Sequence, residues 1–220
     1  MSELSPQRRH ELKLAFFGRI GAHVSHEMRN VLSIVGEYAG LLADLVAAAG
    51  NGRPLDCEKL AQLSGNIAAQ VRKGTETMGR FSRFAHAADQ RNASFDLTSL
   101  VADVAVLAQR HLARAGCTLE ARLPDGAIPV TGDPFGLQHA VFSAVELLVE
   151  FLKKGESATI KLDAEGSTAV ITIQGRATVT TSELSARISR LSPESKQWKG
   201  RVDTSCTEGL LSLAFEIPIQ

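Results

Sequence analysis

Two residues able to do chemistry stand side by side at His26 and Glu27, with Arg29 and Asn30 close behind. On a helix this set suits group transfer. A neutral imidazole keeps a lone pair on one ring nitrogen, so it is a usable nucleophile near neutral pH. Glu27 can orient the other nitrogen or take its proton. Asn30 follows four positions on, beside His26 on the helix surface, where its amide can hold a water or an oxyanion. Arg29 can offset negative charge, although a solvated arginine is an equally good account of it. On spacing alone, an ordinary surface histidine is the plainer reading of His26. His23 and His26 at i, i+3 also raise a zinc site, but no third ligand is evident, so no metal is expected.

The element that carries these residues is a long amphipathic helix from about Pro6 to Ala49. With Phe17 at heptad position a, Val24, Val31, Tyr38 and Leu45 are also a, while Ile20, Ile34 and Leu41 are d. The one polar d residue is Glu27, and His26 falls at c, facing solvent. At about 1.5 Å per residue the helix is roughly 60 Å long. Gly50-Asn51-Gly52-Arg53-Pro54 breaks it. A second amphipathic segment, about Leu55 to Ala88, places Leu60, Leu63, Ile67, Val71, Met78, Phe81 and Phe84 on one stripe. Together they form an antiparallel helical hairpin whose stripe, left partly uncovered, predicts a homodimer closed as a four-helix bundle.

Residues 89–94 (DQRNAS) read as a linker, dividing residues 1–90 from 95–220. Beyond it the pattern predicts a helix over 95–115 capped near Thr98 or Ser99, a strand over 117–123, and a helix over 134–152 with Asp133 as its cap. Strands are expected at 158–162 and 169–173, a short helix at 182–191, and a final hairpin of 201–204 with 210–217 turning near Glu208-Gly209. The order implies a layer of helices on one mixed sheet, so the chain as a whole is α+β.

Bulk properties exclude several functions. The charges cancel, 24 Lys plus Arg against 24 Asp plus Glu, so neither a nucleic-acid footprint nor a polybasic membrane contact is expected. The longest apolar stretch, around Val141 to Leu152, is interrupted by Glu146 and Glu150, so no membrane span is expected. The first residues hold no apolar signal core, and Cys57, Cys117 and Cys206 follow no ligand spacing. A cytoplasmic chain with reduced thiols is the expectation.

"SHEMRNVLSIVGEYAGLL", residues 25–42, resembles the phosphoacceptor helix of sensor histidine kinases. The resemblance implies that His26 carries a phosphoryl group, that Glu27 assists it, and that Asn30 stands at the position tied to dephosphorylating a partner's aspartate. Val31 departs from the proline many kinases have there. "FDLTSLVADVAVLAQRHLARAGCTLEARL", "VTGDPFGLQHAVFSAVELLVEFL" and "GRVDTSCTEGLLSLAFEIPI" are similar to parts of the family's ATP-binding domain. That domain's own chemistry is not matched. Where the family has Asn residues, one of them a Mg²⁺ ligand, this chain has Ser143 and Leu147. Where it has Asp-x-Gly-x-Gly, this chain runs Gly175-Arg176-Ala177-Thr178-Val179, with no long glycine-rich lid after it. Gly209 reads as a hairpin turn.

A leucine cannot ligand Mg²⁺, and a phosphate cradle needs free backbone N–H groups in a tight turn. The resemblance therefore implies an ATP-independent histidine phosphotransferase built on a degenerate ATPase-like domain. It would shuttle a phosphoryl group between His26 and receiver-domain aspartates, with Mg²⁺ supplied by the receiver and no cofactor on this chain. The alternatives are a module that docks receivers or a sensor kinase without chemistry, and a phosphatase using Asn30.

Overall fold

The computed structural model describes residues 5–90, 92–177, 200–207 and 209–219. The helix expected at 182–191 lies outside them. The chain divides into two compact units, one of Ala15–Ala85 and one of Met1–Leu14 with His86–Gln220.

The first unit is a pair of helices. α1 runs Pro6–Gly50 and α2 runs Cys57–Ala87. Gly52, at a φ of 84°, ends the first helix: its N–H donates to the Ala49 carbonyl (3.0 Å) and that of Arg53 to the Ala48 carbonyl (3.1 Å). A left-handed residue is needed there to turn the chain and satisfy the last carbonyls, and glycine takes that conformation without a Cβ penalty. Asp56 then opens α2 by accepting from the Lys59 N–H at 2.9 Å. Contacts run in opposite senses along the two helices: Phe16 meets Phe84, Gly21 approaches Phe81, and Val31 approaches Gly74. The hairpin is therefore antiparallel. Phe16, Ile20, Val24, Val31, Leu63 and Phe84 are its buried apolar side chains.

Much of the apolar surface stays open, with Leu32 65%, Val46 61% and Val71 51% exposed. α1 also bears on the expected absence of a membrane span. The stretch His10–Gly50 holds an 18-residue window of mean hydropathy 1.6, long and apolar enough to cross a membrane by length and composition.

The second unit begins with β1 (Ala93–Asp96), where the sequence suggested linker and then helix. It continues through α3 (Leu97–Arg114), β2 (Thr118–Arg122), β3 (Pro129–Gly132), α4 (Pro134–Val149), β4 (Ser157–Glu165), β5 (Thr168–Arg176), β6 (Arg201–Thr207) and β7 (Leu210–Pro218). β1 and β3 pair in a small antiparallel ribbon. The main sheet has the order β2-β4-β5-β7-β6, with β2 parallel to β4 and the other pairs antiparallel. Alternation places Ile160 and Leu162 of β4, Ile171 and Ile173 of β5, and Leu213 and Phe215 of β7 in the core. Register sets Ile160 opposite Ile173, and Ile171 opposite Phe215, so one sheet face is continuously apolar. α4 packs against β5, and α3 against α4 and β2. Asp133 caps α4 as expected, accepting from the Gly136 N–H at 2.8 Å, and its second oxygen takes Lys13 Nζ at 2.7 Å.

The cap of α3 is Asp96, not Thr98 or Ser99. Its carboxylate accepts from the N–H groups of Thr98 (3.0 Å), Ser99 (3.1 Å) and Ile128 (3.0 Å), and from the Ser99 hydroxyl. Burial acts to raise its pKa, but these hydrogen bonds outweigh that and hold the carboxyl below its ordinary 3.8. Asp96→Ala is expected to cost about 2–3 kcal/mol at neutral pH, from the lost cap and the stranded Ile128 N–H. A depressed folded-state pKa gives stability that is full above the unfolded value and disappears as pH falls through the folded one. The gap between wild type and variant in urea melts must therefore narrow below pH 3.8.

Candidate functional site

Buried Val24 and Val31 fix which side of α1 faces the hairpin core, and with it the opposite side. His26 lies on that outer side and is exposed, as are Arg29 and Asn30. An attacking group can approach the imidazole without opening the fold. Glu27 differs from them. Its side chain is about three-quarters covered at the edge of the seam, where one oxygen lies 3.9 Å from His23 Nε2 and the other 3.7 Å from Lys73 Nζ.

His23 precedes Glu27 by one turn of the same helix, so its approach follows from i, i+4 spacing. Lys73 comes from α2, and no sequence pattern pointed to it. It reaches α1 because its neighbour Gly74 is buried, and a Cβ there would come within 3.2 Å of Val31 Cγ1 and 3.3 Å of Met28 Cε. The helices touch closely at the level of the histidine because position 74 has no side chain. The structure thus groups Glu27 with His23 and Lys73, and leaves His26, Arg29 and Asn30 on the open side. Among the described residues, no three His, Cys, Asp or Glu side chains converge as a metal would require.

In the second unit, Leu147 is 7% exposed within α4, and Ser143 is half-buried on the same helix. At the end of β5, Gly175 is buried, and a Cβ on it would come within 2.9 Å of Leu152 Cδ2 and 3.3 Å of Leu148 Cδ2. This glycine makes room for leucines. The next residue but one, Ala177, is also buried and donates its N–H to the Gly209 carbonyl at 2.8 Å. Gly209 itself has a φ of 76° at the bend between β6 and β7, which places it in a hairpin turn.

No protein-family model matches the sequence, and no curated protein matches it. Solved structures do. A histidine kinase from Burkholderia phymatum aligns over 92% of this chain and 97% of its own, at 16% identity and a TM-score of 0.53. The histidine kinase ThkA, crystallised with the response regulator TrrA, aligns over 97% of this chain and 65% of its own, at 17% identity and a TM-score of 0.52. The histidine kinase AdeS of Acinetobacter baumannii aligns over 89% and 98%, at 14% identity and a TM-score of 0.50. The fold is that of the histidine kinases.

Within the histidine-kinase fold, a nucleotide held on Mg²⁺ needs oxygen ligands and backbone N–H groups open to phosphate. Among the described residues, Leu147 offers no oxygen ligand, and Leu148 and Leu152 leave no open space beside Gly175 at the end of β5.

Proposed function

We propose that the chain is a histidine phosphotransferase working between receiver domains, with His26 as the phosphoacceptor and without ATP as donor. The observation that carries this reading is an exposed His26 next to Glu27, on a histidine-kinase fold whose α4 carries buried Leu147, the residue that the sequence resemblance sets at a Mg²⁺ ligand's position. In the step proposed, an imidazole nitrogen attacks the phosphorus of a receiver's aspartyl phosphate. A P–N bond forms, the P–O bond to the aspartate breaks, and the carboxylate leaves with the bonding electrons. The second ring nitrogen then sheds its proton, to Glu27 or to water, leaving a phosphohistidine whose ring is neutral and whose phosphoryl group is anionic. Reversal onto a second receiver completes the relay. Both bonds are of high energy, so the work left to this chain is positioning and charge stabilisation. The receiver brings its own aspartate and Mg²⁺.

The ThkA structure, which contains a response regulator, supports receivers as the partner class. Leu32, Leu41, Val46 and Val71 are exposed on the hairpin, and a second copy of this chain, closing a homodimeric four-helix bundle, would cover part of that apolar surface. Free Cys57 and Cys206 on the surface suit a reducing cytoplasm. Asn30, exposed one turn from His26, favours one competing reading: an amide that orients water on the receiver's aspartyl phosphate, making the chain a phosphatase.

The test uses receiver domains from the same organism charged with radiolabelled phosphate. They are mixed with the full chain, beside a tube holding labelled ATP and Mg²⁺ alone. Acid-labile label on this chain, from receivers and not from ATP, is the expected result. Release of free phosphate without labelled chain would make it a phosphatase. Label taken from ATP would overturn the account of the second unit.

A further inference from the structure

Glu27 has a nitrogen near each carboxylate oxygen, and the second nitrogen comes from the other helix. Its carboxylate has His23 Nε2 at 3.9 Å on one oxygen and Lys73 Nζ at 3.7 Å on the other. The Lys73 side chain is 58% exposed, so as a contribution to stability this contact counts for little. Its placement counts for more. Buried Gly74 brings α2 within van der Waals reach of Met28 and Val31, the residues that flank Arg29 and Asn30. A long, flexible ammonium is thereby delivered to the one carboxylate adjacent in sequence to His26.

We propose that Lys73 is a positioning residue of the His26 site, holding the Glu27 carboxylate for phosphoryl transfer. The proposal rests on the phosphotransferase reading above. A phosphoryl group on His26 carries about two negative charges, and a loose Glu27 would be repelled by it. An ammonium on the far side of that carboxylate keeps it in place and balances part of the added charge. Lys73 acts through Glu27 and touches neither the phosphorus nor the imidazole. His23, on the helix of Glu27 itself, lies 3.9 Å from the second oxygen.

The experiment measures single-turnover transfer from a labelled receiver to the full chain over a range of receiver concentrations. The proteins are wild type, Lys73→Met, Lys73→Arg, Glu27→Gln and the Lys73→Met/Glu27→Gln double variant. Methionine keeps most of the apolar stem and removes the charge. Lys73→Met is expected to lower the saturated transfer rate about tenfold, with the half-saturating receiver concentration unchanged, and Lys73→Arg to restore most of the loss. In the Glu27→Gln background the same substitution should change the rate less than twofold, because the carboxylate it positions is gone.

The proposal is overturned by Lys73→Met transferring at the wild-type rate, or by an equal loss with and without Glu27. A shift confined to half-saturation would also overturn it, since Lys73 would then serve only receiver docking. If wild type itself takes no label from any receiver, the phosphotransferase reading fails first. The two failures are therefore distinct.

Discussion

His26→Ala removes acid-labile label from the chain entirely, a loss of more than about 10³-fold in transfer, as expected when the nucleophile of a covalent step is deleted. The substitution is a clean one. His26 is exposed on α1, and alanine is the better helix former, so stability should stay within about 0.5 kcal/mol of wild type. Far-UV circular dichroism and the urea midpoint check that directly. Receiver docking should survive, because most of the docking surface is untouched. The outcomes separate the competing functions. A relay loses transfer and keeps docking, while a phosphatase acting through Asn30 still drains phosphate from the receiver without His26. Label persisting on the variant would place the acceptor on another residue and remove the basis for the whole site.

What could be read from the residues was the part written in periodicity and caps. Both long helices come from amphipathic stripes, a heptad with Glu27 as its one polar d residue in α1, and α4 from Asp133 directly ahead of Pro134, a cap followed by proline at the first helical position. β4, β5 and β7 alternate cleanly because one face packs under helices. The ribbon of β1 and β3 was not legible. Each has four residues, too few for a period, and each exists only because the other pairs with it. Local preference favours Thr98 or Ser99 as the cap as much as Asp96, because it cannot reveal that the Asp96 carboxylate also reaches Ile128 across the fold.

The same limit applies at the site. His26, Glu27 and Asn30 are one local motif, but Lys73 joins them only through the packing of two helices. Its sole trace in the sequence is a glycine in the middle of α2, where glycine costs about 1 kcal/mol relative to alanine. The membrane-length window in α1 is hard to see in the sequence for another reason. Its hydropathy is spread over alanines and leucines with acidic residues between, so no single apolar run stands out.

Phe84→Ala should be the most destabilising single change in the hairpin, at about 3–5 kcal/mol in urea unfolding. Phe84 is fully buried, with Phe16 edge-on at 5.4 Å, Phe17 stacked at 5.6 Å and Phe81 at 6.1 Å. Truncation leaves a cavity between α1 and α2 and removes three aromatic contacts at once. Phe84→Leu, which keeps most of the apolar volume, should cost less than half as much. The cluster sits toward the opposite end of the Ala15–Ala85 unit from the loop at Gly50–Pro54, so it clamps the end of the hairpin that the loop does not tie. Site geometry follows from that clamp. If α2 slides or rotates against α1, Gly74 leaves Val31, and Lys73 swings away from Glu27. Phe84→Leu at a temperature where it stays folded should therefore transfer more slowly than wild type. That deficit should shrink in the Glu27→Gln background. A deficit of equal size there would mean that the aromatic cluster supports the fold without setting the geometry at Glu27.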